Sequence, residues 1–97
     1  MLNKFSIIET LKEFKVKQKN QFGILEIGLF GSYAREQNTE ESDIDIFVET
    51  ETPNAFNIVH LKDALESIFN KRVDIVRLRN NMNQFLKSRI EKEGIYV

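Results

Sequence analysis

The sequence predicts an α+β fold in which a small mixed β-sheet is covered by helices. Two observations support this class. Segments with helical spacing of apolar residues alternate along the chain with short runs rich in branched apolar residues. The chain has 97 residues, of which 41% are hydrophobic and 30% are charged, a composition typical of a small globular domain. We therefore expect residues 1–97 to form a single domain.

The first segment predicts a helix over residues 2–19, with Asn3 or a neighbouring residue as its N-terminal cap. Its apolar residues recur at roughly helical spacing, and they are Leu2, Phe5, Ile8, Leu11 and Phe14. The helix should end before residues 20–23, where Asn20 and Gly23 suit a C-terminal stop. The following run, residues 24–30 (ILEIGLF), predicts a strand.

A brief helix is predicted over residues 33–37, and a polar loop over residues 38–42. Residues 43–48 (DIDIFV) alternate polar and apolar side chains, which predicts a second strand. Thr52 followed by Pro53 resembles a helix N-cap with proline at the first helical position.

The third helix should extend to about Asn70 with a buried set at positions i, i+3, i+4 and i+7. These four residues are Leu61, Ala64, Leu65 and Ile68. Residues 73–76 (VDIV) predict a third strand, and residues 82–92 predict a last helix. That helix places four residues near one face, namely Phe85, Leu86, Arg89 and Ile90. Residues 95–97 follow as a possible edge strand.

The chemistry is concentrated in three aspartates. Asp43 and Asp45 lie two residues apart on one predicted strand, so their side chains point to the same side of the sheet. Neighbouring carboxylates repel each other unless a cation lies between them, and Mg²⁺ prefers oxygen ligands. The alternative is that both side chains simply face water. Asp74 adds a third carboxylate within another apolar strand, and the three acids converge if the two strands pair.

Gly31 and Ser32 follow the first strand at the start of the brief helix. A glycine turn that leads into a helix N-terminus brings backbone N–H groups towards an anion, and a serine hydroxyl adds another donor. The alternative is an ordinary turn in which Ser32 acts as an N-cap.

Charge and composition argue against several other classes of protein and of metal site. Fourteen Lys and Arg against fifteen Asp and Glu give a net charge of −1, which argues against a protein whose main role is direct binding of nucleic acid. Without cysteine, neither a disulfide nor a thiolate metal site is possible. Since no signal-peptide core and no membrane-length apolar run occur, we expect a cytoplasmic protein. His60 is expected to be a structural or surface residue.

The segment LFGSYAREQNTEESDIDIFVE resembles the signature of the minimal nucleotidyltransferases of the DNA polymerase β superfamily. That signature is Gly-Ser, ten residues, then Asp-x-Asp, with a third acid on a later strand, here Asp74. The resemblance implies a polymerase-β-like fold, two Mg²⁺ ions and ATP as substrate. It further implies catalytic and metal-ligating roles for Asp43, Asp45 and Asp74, and contacts of Gly31 and Ser32 with the triphosphate. Arg35 either steadies a phosphate or forms a surface ion pair.

Many small members of this family are the antitoxin halves of HEPN/MNT toxin–antitoxin pairs. Some transfer AMP from ATP to a tyrosine of the HEPN toxin, an RNase, and so silence it. The resemblance therefore implies a protein adenylyltransferase with a HEPN-family partner. Two alternatives remain open: an antitoxin that neutralises its toxin by binding alone, and a nucleotidyltransferase acting on a small molecule. The chain also departs from the family at Glu36, where members commonly carry glycine, so this carboxylate either weakens nucleotide binding or points to solvent.

Overall fold

The computed structural model describes residues 2–51 and 55–97. The predicted α+β class is confirmed, since helices and strands alternate along the described part of the chain. In chain order the elements are α1 (Lys4–Phe22), β1 (Ile24–Phe30), α2 (Gly31–Ala34), β2 (Ile44–Thr50), α3 (Ala55–Phe69), β3 (Val73–Arg77), α4 (Gln84–Glu93) and β4 (Ile95–Tyr96). The cap predicted at Thr52 and Pro53 lies outside the described residues. No helix in the described part is long and apolar enough to cross a membrane.

The four strands form one mixed sheet in the order β3-β2-β1-β4. Strand β1 is antiparallel to both β2 and β4, whereas β2 and β3 are parallel. A parallel pair requires a crossover connection, which α3 supplies. The predicted edge strand at the C-terminal end is confirmed, because β4 comes last in the strand order and pairs with β1. At the opposite edge, β3 lies beside β2, the arrangement that allows the three aspartates to approach one another.

Helix α1 begins with the predicted cap at Asn3, whose side chain accepts a hydrogen bond from the backbone N–H of Ser6 at 2.9 Å. The Ser6 hydroxyl in turn accepts one from the backbone N–H of Asn3 at 3.0 Å, which completes a capping box. The predicted end at residue 19 is wrong, because the helix continues to Phe22. Phe22 is buried and stacks on Phe14, and Gly23, with φ of 63°, ends the helix in the left-handed region.

The buried face of α1 differs from the predicted row. Ile7, Leu11 and Phe14 are buried, whereas Phe5 is 66% exposed. The predicted residues follow one another at steps of three, and each such step falls about 60° short of a full helical turn. A row of this kind winds around the helix, so it cannot lie entirely against the sheet. Spacings of four and three residues, as from Ile7 to Leu11 to Phe14, keep the side chains on one face.

Two further helix predictions require correction. The brief helix α2 starts at Gly31 rather than at residue 33, because the chain turns directly from β1 into the helix, and it ends at Ala34. In α3, Leu61 and Leu65 are buried as predicted, but Ile68 is 51% exposed and Phe69 is buried instead. The helix is rotated so that the larger aromatic side chain fills the core.

In α4, Ile90 is buried as predicted, but Phe85 is 75% exposed. The helix starts at Gln84, two residues later than predicted, because Asn83 caps it by accepting a hydrogen bond from the backbone N–H of Leu86 at 3.1 Å. Met82 lies outside the helix and is buried. The hydrophobic core therefore reaches into the connection before α4.

Apolar side chains cover both faces of the sheet. A large cluster lies between one face and helices α1 and α3, and includes Ile44 and Ile46 of β2. A small cluster occupies the other face against α4, and consists of Phe30, Phe47, Met82 and Ile90. Asp45 shares this second face with Phe47, since side chains two residues apart on a strand point the same way. The aspartates therefore border the small cluster.

Candidate active site

The strand pairing brings two of the predicted aspartates side by side. Asp45 of β2 is the direct neighbour of Asp74 of β3 in the parallel register, so both side chains lie on the same face of the sheet. Asp43 precedes the first residue of β2 by one position and lies two residues from Asp45. Its Oδ1 atom is 3.9 Å from Nε of Arg72, a side chain that is 84% exposed. The predicted pairing of the strands that carry Asp45 and Asp74 is therefore confirmed. The predicted strand start at Asp43 is wrong, because β2 begins one residue later, at Ile44.

Gly31 shapes the surface against which Asp45 lies. Phe30 is the cross-strand neighbour of Asp45, so the next residue, Gly31, comes against the aspartate side chain. Gly31 has φ of 78°, and a Cβ atom placed there would overlap Oδ2 of Asp45. Only glycine combines this backbone conformation with such a close approach. The glycine of the sequence motif is thus required by the carboxylate that the same motif contains.

The surroundings of Asp45 disfavour its charged form. Partial burial, followed by the neighbouring charges of Asp74 and Asp43, raises the pKa of Asp45 from 3.8 to about 6. The positive charges of Arg89 and Arg35 act in the opposite direction. A carboxylate in this situation gains from a cation or from added hydrogen-bond donors. Its pKa therefore marks the position as a candidate functional site.

The donor set fits a divalent cation that a substrate helps to bind. Among residues 2–51 and 55–97, no three acidic or histidine side chains are close enough together to hold a metal ion by themselves. Mg²⁺ commonly takes only one or two carboxylates from a protein and completes its shell with water and substrate phosphates. The neighbouring carboxylates of Asp45 and Asp74 match that requirement in number and in chemistry.

The predicted nucleotide-binding residues lie at both ends of α2. Gly31 is its first residue, Ser32 is partly exposed, and Arg35 is exposed at its C-terminal cap. Nη1 of Arg35 is 2.7 Å from Oε2 of Glu93 on α4, and its Nε donates a hydrogen bond to the Gln37 side chain at 3.0 Å. The structure thus contains the ion pair that the sequence left as an alternative for Arg35.

Sequence reasoning missed Arg89 and Glu93 as part of this region. Nε of Arg89 lies 3.2 Å from Oε1 of Glu93, and the Arg89 guanidinium is 5.9 Å from the centre of the Phe30 ring. Burial works to raise the pKa of Glu93, but the hydrogen bond from Arg35 and the charges of both arginines outweigh it and lower that pKa. The spacing of Arg89 and Glu93 on one helix signalled an ion pair, yet gave no indication that it faces the aspartates.

The backbone conformation at Glu36 accounts for the glycine that is common at this position of the family. Its φ is 59°, in the left-handed region that favours glycine. The side chain is 61% exposed, and its Oε1 lies 3.5 Å from Nζ of Lys4. Of the two predictions for this residue, the structure supports a carboxylate that points to solvent. His60 is exposed on α3, as predicted.

Comparisons with known proteins agree with this geometry. A family model described as the nucleotidyltransferase domain matches residues 7–97. The protein adenylyltransferase MntA of Thermococcus cleftensis is 34% identical over 98 residues, a match that covers 100% of this chain and 98% of the relative.

Two solved structures are similar over most of this chain. One is a crystal structure of a toxin–antitoxin with AMP-PNP, with a TM-score of 0.72 and 28% identity over 98% of this chain and 72% of the other. The second contains a tri-AMPylated Shewanella oneidensis HEPN toxin in complex with an MNT antitoxin. It has a TM-score of 0.64 and 28% identity over 90% of this chain and 69% of the other.

Proposed function

Since the chain belongs to the nucleotidyltransferase domain family, we propose that it is a protein adenylyltransferase that acts as an antitoxin. In this proposal it transfers AMP from ATP to a tyrosine of a HEPN-family RNase toxin. The observation that carries the proposal is the parallel register of Asp45 and Asp74 beside Gly31. Because the reaction consumes ATP, we expect the protein to work in the cytoplasm.

The relatives favour a protein as acceptor over a small molecule. The chain aligns with nearly the whole of a relative named as a protein adenylyltransferase. A structure similar to this chain contains an AMPylated HEPN toxin with its MNT antitoxin. A tyrosine of a docked partner protein therefore fits as the acceptor, and residues 1–97 as a single transferase domain.

The proposed reaction is an in-line displacement at the α-phosphorus of ATP. The tyrosine Oη forms a bond to phosphorus, the bond from phosphorus to the oxygen bridging the α- and β-phosphates breaks, and pyrophosphate leaves. The phenolic proton is accepted by a carboxylate. Asp74 is suited to this step because it is exposed on an edge strand, where an acceptor protein can reach it.

The other residues hold the nucleotide. Gly31 allows the chain to turn into α2 beside Asp45, and Ser32 offers a partly exposed hydroxyl to a phosphate oxygen. Asp43, Asp45 and Asp74 would hold one or two Mg²⁺ ions together with the triphosphate. Such ions neutralise charge on the transferred phosphoryl group and on the leaving pyrophosphate.

The test is transfer of label from ATP carrying a radioactive α-phosphate, with Mg²⁺, to the protein encoded by the adjacent gene. We expect labelling of that protein by the wild type and by Asp63→Ala, a control on the exposed face of α3. Asp43→Ala should abolish the labelling while keeping the fold. ATP labelled at the γ-phosphate should give no transfer, because pyrophosphate leaves.

The alternatives give different results. A stable complex without label transfer would contradict the proposed reaction and favour an antitoxin that acts by binding alone. Transfer to a small molecule but not to the partner would instead favour a small-molecule nucleotidyltransferase.

A further inference from the structure

Three charged side chains form a cluster beside the aspartates: Arg35 at the end of α2, and Arg89 and Glu93 on α4. Glu93 accepts from Nη1 of Arg35 at 2.7 Å and from Nε of Arg89 at 3.2 Å. Its side chain is 17% exposed, whereas those of the two arginines are 38% and 40% exposed. One carboxylate thus holds two guanidinium groups, and the cluster retains an excess positive charge.

The cluster faces the proposed active site. Arg89 lies over the ring of Phe30, the cross-strand neighbour of Asp45. Both arginines lie near enough to Asp45 for their charges to act on its carboxylate, and the effect of Arg89 is the larger. Arg89 is therefore at least as well placed as Arg35 to act on a ligand of the aspartates.

Arg89 also keeps most of its hydrogen-bonding capacity. Among residues 2–51 and 55–97, its guanidinium makes one hydrogen bond, from Nε to Glu93. An arginine offers five N–H donors in a planar fork that matches phosphate oxygens. The hydrogen bond to Glu93 and the contact with Phe30 hold the guanidinium in place, while its Nη atoms retain N–H donors for a ligand.

A plain i,i+4 ion pair on a helix surface is the ordinary explanation for Arg89 and Glu93, and such pairs add little to stability. That explanation does not account for the second arginine on the same carboxylate. Nor does it account for the position of both cations towards a site rich in negative charge. A polyanionic substrate at the aspartates requires cations of this kind, since a triphosphate repels carboxylates wherever it is not neutralised.

We propose that Arg89 binds the triphosphate of ATP, and that Glu93 is a positioning residue that holds Arg89 and Arg35 towards it. This inference rests on the proposed function, because it takes ATP as the substrate. It adds a substrate-binding residue on α4 to those of the Gly-Ser turn. In this proposal Arg89 recognises the β- and γ-phosphates rather than the nucleoside.

The test measures binding by isothermal titration calorimetry with Mg²⁺, using ATP, inorganic tripolyphosphate and AMP as ligands. Arg89→Gln should weaken binding of ATP and tripolyphosphate by roughly 10- to 100-fold, the effect of losing a hydrogen bond to a charged group. It should change the Kd of AMP by less than about twofold. Arg89→Lys, which keeps the charge but loses the fork, should recover part of the affinity.

Lys92→Gln is the matched control, because Lys92 is exposed on the same helix and its substitution removes the same charge. It should leave all three Kd values within about twofold of the wild type. Glu93→Gln should weaken ATP binding less than Arg89→Gln does. Its effect should be largely absent when Arg89 is already glutamine, because Glu93 acts through the arginines.

Each other outcome has a defined meaning. Unchanged ATP affinity in a folded Arg89→Gln variant, with ATP binding intact in the wild type, would overturn this inference alone. Equal weakening for ATP and AMP would also overturn it, since Arg89 would then act on the nucleoside monophosphate. A wild type that binds neither ATP nor tripolyphosphate would refute the proposed function together with this inference.

Discussion

Asp45→Asn is expected to raise the free energy of unfolding at neutral pH, although it removes a residue of the proposed active site. The substitution keeps the shape of the side chain against Gly31 and eliminates a carboxylate whose pKa is raised from 3.8 to about 6 by burial and by Asp74 and Asp43. The rise corresponds to at most ~3 kcal/mol, at about 1.36 kcal/mol per pH unit. Because the carboxylate is only partly buried, solvent screening reduces the expected gain to ~1–2 kcal/mol.

The pH dependence follows from the direction of the pKa change. A group with a raised pKa in the folded state contributes stability that is complete below its unfolded pKa and is lost as the pH rises through its folded pKa. The advantage of Asp45→Asn should therefore be negligible near pH 3.8, grow up to about pH 6 and stay constant above it. The variant gains stability because asparagine has no charged form to destabilise the fold. The size of this gain must therefore depend on the pH, which sets how far Asp45 is ionised in the wild type.

The measurement is urea unfolding followed by far-ultraviolet circular dichroism, with a chelator present, at about pH 5 and about pH 8. Asp63→Asn is the matched control, because it makes the same chemical change on the exposed face of α3. The control should shift the free energy of unfolding by no more than ~0.5 kcal/mol. A variant at Asp45 that is less stable than the wild type at the higher pH, or equally stabilised at both, would refute the reasoning.

Three further substitutions test the backbone and the core. Glu36→Gly should be more stable than Glu36→Ala by ~1 kcal/mol in urea unfolding, reversing the usual preference, because the φ of 59° favours glycine. Equal stability of the two variants would contradict this. Gly31→Ala should cost ~1–3 kcal/mol and weaken ATP binding in calorimetry, because its Cβ would displace the Asp45 carboxylate. Phe47→Ala should cost ~3–5 kcal/mol in thermal or urea unfolding, since its side chain is fully buried in the small cluster.

Much of the site was predictable because its signals are local. The alternation of side chains along the second strand settles which of them share a face. Ile44 and Ile46 join the large cluster whereas Phe47 joins the small one, which places Asp45 on the face opposite the isoleucines. The placement of Asp74 beside Asp45 was conditional on the pairing of their two strands, and the parallel register of β2 and β3 meets that condition. The first inference depends on backbone periodicity alone, whereas the second also needed the pairing of two distant segments.

The errors arose where contacts between distant segments decide the outcome. The face that α1 buries depends on the rotation of the helix against the sheet, which exposed Phe5 despite its apolar side chain. Arg35 and Glu93 are 58 positions apart, so their ion pair depends on how α4 packs. The left-handed conformation at Glu36 had an indirect signal, the glycine that is common in the family, but the reason for that glycine required the backbone angle.

Helix α4 links the stability of the small cluster to the chemistry of the site. Ile90 is buried against Phe47 and Phe30, while its neighbour Arg89 faces Asp45. Since adjacent residues on a helix move together, the packing of Ile90 sets the position of the arginine and of Glu93 one turn later. The small hydrophobic cluster also excludes water from one side of Asp45, which strengthens the interaction of its carboxylate with every nearby charge. Helix α4 thereby contributes Ile90 to the hydrophobic core and Arg89 to the proposed active site.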